Sequence, residues 1–171
     1  MKIIRDRAIV DDEFTHIADG QPLDPTAPPF GGASRSAHEA LVERPIVSLA
    51  RVGEALASHA VVGVRVPTDT LPAAIPALAR LALVAIELPK LTDGRAFSLG
   101  RMLRERHGFR GELRATGYVT RDQLLQLERC GFNAFEVRAG KPLDSALEAF
   151  AELPAVYQAT VADPRPIYRR R

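Results

Sequence analysis

The chain predicts an α/β fold: a mainly parallel sheet of successive βα units, curved into a partial (half) TIM-barrel-like arrangement, with an N-terminal β arm. Three observations carry this expectation. From Pro45 onward, short β-branched runs alternate with amphipathic helical stretches. The return from each run to the next is long enough for a crossover helix, which makes neighbouring strands parallel and fixes the hand of the winding. Finally, each central apolar run holds one interior charge, Arg65, Glu87, Arg114 and Glu136, and the signs alternate in chain order. A sheet covered by helices on both faces normally has near-continuous apolar strands. A curved sheet of sequentially adjacent strands instead sets these four on its concave face, each beside an opposite charge. Four unrelated strand-end charges near water are the simpler alternative.

The elements follow in order. Residues 1–19 form the β arm, with Ile3, Ile4, Ile9, Val10, Phe14 and Ile17 as buried candidates. Residues 20–44 are rich in Pro and Gly and resist both helix and sheet, so they read as a linker. Residues 45–171 form the α/β domain. Its strands are expected at Ile46 to Leu49, Val61 to Val66, Leu83 to Leu88, Glu112 to Thr116 and Ala134 to Val137, with a last one at Ala155 to Ala159. A helix runs to about His59, another from Pro72 to Leu81 with Pro76 bending it, and a third from Ala96 to His107. Leu99, Met102 and Leu103 mark the inner stripe of that third helix, and Gly108 suits its left-handed exit. Thr120 with Gln123 is a capping-box pattern opening the next helix, Gly131 ends it, and Asp144 to Leu153 is the last. These strands are too few for a complete eight-stranded barrel, so the arm or a second copy of the chain is needed to cover an open edge, which favours a homodimer.

Composition excludes several classes. The 171 residues suit one core; 46% are hydrophobic and 26% charged, and the net charge is +2. The pI near 9.0 comes from a small arginine excess that includes Arg169, Arg170 and Arg171. No basic stripe with interleaved aromatics marks a nucleic-acid binder. The N-terminal segment lacks a signal-peptide core, no segment reads as a membrane span, and Cys130 has no disulfide partner within the chain, so a cytoplasmic location is expected. Cys130 ends a helix, where the dipole disfavours a thiolate, and so it reads as packing. His16, His38, His59 and His107 have no metal spacing, so no metal is expected. Gly-rich residues 30–34, FGGAS, match neither dinucleotide nor phosphate-loop patterns.

The segment LPKLTDGRAFSLGRMLRE, residues 88–105, holds the candidate site. Ligands of α/β folds gather where parallel strands end. There the strand closing at Leu88 delivers Lys90, Asp93 and Arg95 to a helix entrance whose free N–H groups attract anions. Lys90 and Arg95 supply charge, Asp93 caps and orients, and Thr116 and the Gly117 backbone stand on the neighbouring strand end. Glu87 and Arg114 brace the floor, and Arg114 counts among the anion-facing residues. Taken singly each has an ordinary reading: Asp93 as a cap, Arg95 as the partner of Asp93 or Glu87, Lys90 as a solvated loop residue.

Residues 88–135 and the ending VYQATVADPRPIYRRR resemble the bacterial DUF934 family, whose pattern runs P-K-F-T-D-G-R-x-[FY]-S and then G-E-L-R-A-x-G-D-V. Leu91 stands where the family has an aromatic, and Tyr118 where it has an acid. The resemblance implies an accessory protein of assimilatory sulfite reduction, with sulfite reductase as partner; the anion-facing rim read from the residues is then expected to hold sulfite, a phosphate-bearing cofactor or an acidic patch on a partner. Oxidoreductase activity, which some members are credited with, implies a borrowed flavin or nicotinamide cofactor; no linear motif for either is visible, although a barrel-like fold binds flavin phosphate without one.

Overall fold

The computed structural model describes residues 1–23, 43–138, 142–152, 157–161 and 164–169. Eight strands form a single sheet: β1 (Lys2–Arg5), β2 (Ala8–Asp11), β3 (Thr15–His16), β4 (Pro45–Ser48), β5 (Gly63–Pro67), β6 (Leu83–Leu88), β7 (Glu112–Gly117) and β8 (Ala134–Phe135). Their order is β2-β1-β8-β7-β6-β5-β4-β3. Pairing is parallel from β3 through β8, while β1 is antiparallel to both β8 and β2. The fold is a curled half-barrel of alternating strands and helices with an N-terminal β-hairpin arm. The arm supplies three strands beyond those counted in the α/β segment, so the sheet has eight.

Helices α1 (Val52–Ser58), α2 (Arg95–Glu105), α3 (Leu124–Arg129) and α4 (Leu143–Glu148) follow strands β4, β6, β7 and β8. Alternation along each strand explains the layers. Val64, Val66, Val84, Ile86, Leu113, Ala115 and Phe135 point to the outer face, where they pack with Leu99, Leu103, Leu124 and Leu127 of the helices in one core. Arg65, Ala85, Arg114 and Ala134 form one row across the inner face, since each pairs with the next in register. A smaller inner cluster holds Phe14, Ile46, Leu83 and Ala85.

Local signals behave as their chemistry dictates at the α2 exit, where Gly108 takes φ +63° and Phe109 N–H closes back on Leu103 O at 2.9 Å. They fail at Pro72 to Leu81. That segment is two 3-10 turns, Pro72–Ala74 and Leu78–Arg80, not a helix. Pro76 offers no N–H and forces Ile75 to an extended ψ of 109°, and Ala77 then turns left-handed at φ 50°. The last helix is shorter than expected, with a 3-10 turn Ala149–Ala151 after α4. Of the expected strand at Ala155 to Ala159, residues 157–159 carry no strand and 155–156 lie outside the described residues. So do residues 30–34, His38 and most of the expected linker.

β2 and β3 occupy the two ends of the sheet order yet are consecutive in the chain, separated by Asp12, Glu13 and Phe14. Three linking residues reach at most about 14 Å. The edges must therefore approach each other, and the link runs over the concave face: Asp12 meets Arg114, and Phe14 is buried in the inner cluster.

Candidate functional site

The inner face divides into two halves. Near β5 and β6, Arg65 Nε lies 3.7 Å from Glu87 Oε2, and both side chains reach solvent. Near β7 and β8 the charges are sealed. Arg114 has no exposed surface and donates from Nη1 and Nη2 to both Asp12 oxygens at 2.8 Å, from Nε to Glu112 Oε1 at 2.7 Å, and from Nη1 to Glu136 Oε1 at 2.9 Å. Its guanidinium carbon lies 5.6 Å from the centre of the Phe14 ring. Burial works against the charge, but the hydrogen bonds Arg114 donates to Asp12 and Glu136 and the fields of Glu112 and Asp12 raise the Arg114 pKa overall. Arg114 is thus a structural cation with its fork saturated by carboxylates. The expectation that it faces an anion at the rim is corrected: Asp12, 102 positions away, occupies that fork.

At the carboxyl ends of the strands, the turn after β6 is held from three sides. Asp93 is buried and receives Thr68 Oγ1–H at 2.9 Å, Arg95 N–H at 3.1 Å, and the Arg95 fork at 3.0 Å (Nε) and 2.7 Å (Nη2). The hydrogen bonds from Arg95 hold the Asp93 carboxyl well below the usual carboxylate range, against the opposing effect of its burial. Asp93 N–H closes the turn on Lys90 O at 3.2 Å. Gln123 Nε2 donates to Leu91 O at 3.3 Å, while its Oε1 accepts from Thr120 N–H at 3.2 Å, so one side chain serves both the α3 entrance and the rim turn. Lys90 and Leu91 stay exposed on the crest.

The sequence thus located the turn, and the structure brings Asp93 and Arg95 together there. Thr116 is buried on the inner face, its hydroxyl 3.5 Å from Ile86 O, and Gly117 takes φ +81° against Leu88. Beyond it the guanidinium carbon of Arg138 lies 4.5 Å from the Tyr118 ring centre. Thr68 was missed; its only signal is its place directly after β5, and nothing local pairs it with Asp93. Cys130 is buried, and burial pushes its thiol pKa up. Among the described residues no group of three or more His, Cys, Asp or Glu side chains is arranged to hold a metal ion. No helix among them is long and apolar enough to cross a membrane.

The fold and this rim define a class: a βα half-barrel with a charge cluster sealed on part of its inner face and a braced strand-to-helix turn. The chain belongs to DUF934, a bacterial protein family of unknown function, whose pattern matches residues 63–168. That span runs from β5 to the C-terminal 3-10 turn and contains the whole rim turn. No curated protein matches the chain.

Proposed function

We propose that the protein is a cytoplasmic accessory module of assimilatory sulfite reduction that docks an acidic surface of a partner, sulfite reductase, on the carboxyl-end rim of its sheet. The observation that carries the docking mode is the Asp93–Arg95 pair. With the Arg95 fork closed on Asp93, the turn is rigid and its free charge among the described residues is Lys90, exposed beside Leu91. An exposed cation next to an exposed apolar side chain on a fixed turn suits a protein surface, where the charge steers encounter and the leucine supplies buried area. It suits a small anion less, because the fork that would grip one is already taken. The pathway itself rests on the family resemblance.

The test is copurification of sulfite reductase with the full chain, wild type against Lys90→Glu. The reading expects capture by the wild type, weakening as salt is raised, and its loss in Lys90→Glu with an unchanged melting temperature. Equal capture by both forms removes the rim from the proposal. Deletion of the gene, followed by growth on sulfate, sulfite and sulfide, tests the pathway: normal growth on all three removes it. A flavin spectrum in the purified protein would instead favour oxidoreductase chemistry.

A further inference from the structure

We propose a second site, at the opposite end of the sheet, that binds a phosphate-class dianion, either free or carried on a small metabolite. A cavity of about 340 Å³ opens there between the β1–β2 turn, the end of α2 and the loops entering β7 and β8. Three arginines line it, Arg7, Arg104 and Arg110, against the carboxylates Asp6 and Glu128. Glu128 is already taken, because Arg7 grips it with Nε and Nη2, each at 2.8 Å. Asp6 accepts from Asn133 Nδ2 at 3.4 Å and attracts Arg104 only at longer range.

Arg104 is the unusual group. All of its acceptors are neutral: Gly131 O from Nε at 2.9 Å, Phe109 O and Gly111 O from Nη1 at 2.8 Å, and Asn133 Oδ1 from Nη2 at 3.1 Å. The guanidinium is held rigidly yet has no carboxylate at ion-pair distance among the described residues, and one Nη2 hydrogen remains unassigned. Its neighbour Arg110 is exposed and likewise without an ion pair among them. Burial and the Arg110 charge both weaken the hold of Arg104 on its proton, as expected for two cations sharing a cleft with too little negative charge.

The chain is shaped to keep Arg104 in place. A side chain at Gly131 would meet Arg104 Cγ at 2.5 Å, so only glycine lets the arginine stem lie on that backbone. Fixed donors and unbalanced charge are what a preorganised oxyanion site needs. Arg7, Arg104 and Arg110 against Asp6 and Glu128 leave the cleft with one positive charge in excess, and Arg104 and Arg110 have no ion pair among the described residues. A phosphate group presents enough oxygens to meet both guanidiniums at once, whereas a carboxylate offers only two.

Calorimetric titration of the full chain with inorganic phosphate and with glycerol 3-phosphate, at matched ionic strength, tests this. At least one probe is expected to bind to the wild type. Arg110→Ala, an exposed change that keeps the fold, should weaken it by about tenfold or more. Asn133→Asp, which supplies an internal counter-charge to Arg104, should also weaken it. Lys90→Glu at the other end should leave it unchanged, which separates this site from the rim. Heat from phosphate alone identifies the free ion; a preference for the ester identifies a pendant group. Absence of heat with both probes overturns the proposal, and so does binding that Arg110→Ala leaves intact.

Discussion

His16 Nε2 lies 2.9 Å from Glu136 Oε1, although four strands separate β3 from β8 in the sheet. In a flat sheet five inter-strand steps would hold them about 24 Å apart. Their contact measures the curl: the inner face wraps until an edge strand touches residues beyond its centre. The same Glu136 oxygen accepts from Arg114, so the contact joins the edge to the buried charge cluster. Phe14 and Asp12 pack against this cluster on the inner face.

Arg114→Met is expected to destabilise the fold by about 3–5 kcal/mol, because it strands Asp12, Glu112 and Glu136 with reduced compensation. Urea unfolding followed by circular dichroism measures this. A loss below about 1 kcal/mol would mean that water already screens the cluster. Replacing all four members by apolar residues of similar volume is expected to recover much of the loss.

Asp93→Asn gives a pH signature. The folded pKa of Asp93 is depressed, so the unfolded chain binds the proton more tightly. The stabilisation is fully present above the unfolded value of about 4 and declines as pH falls through it toward the folded pKa. The melting temperature of Asp93→Asn should lie below that of the wild type at neutral pH, and the gap should narrow below about pH 4. A gap that keeps its size into the acid range assigns the loss to geometry alone.

Gly117→Ala is expected to cost at least about 1–2 kcal/mol from its left-handed backbone. The added methyl would also meet Leu88 O at 2.5 Å, at the strand end that leads into the Lys90 turn. Thermal melts check the stability. Because the clash falls on Leu88, partner capture should weaken as well. A Gly117→Ala protein with wild-type melting would show that the backbone relaxes to another conformation there.

The sequence by itself determined what short-range chemistry controls. Leu83–Leu88 is a strand because it is a short apolar run interrupted only by Glu87, α2 ends where Gly108 permits a left-handed turn, and Gln123 reaches back to Thr120 because three residues of helix entrance place it there. Even the error at Pro76 is local in cause, since its effect on Ile75 outweighed the apolar periodicity. The alternating charges were visible too, and Arg65 with Glu87 and Arg114 with Glu136 pair as that alternation expects, but the other long-range partners were not visible. Asp12 with Arg114, Thr68 with Asp93 and His16 with Glu136 lie 102, 25 and 120 positions apart. Only the curl of the sheet chooses the acid that each arginine, hydroxyl or imidazole meets, because strand patterning fixes the face on which a side chain lies and leaves open which residue the closing sheet brings opposite it.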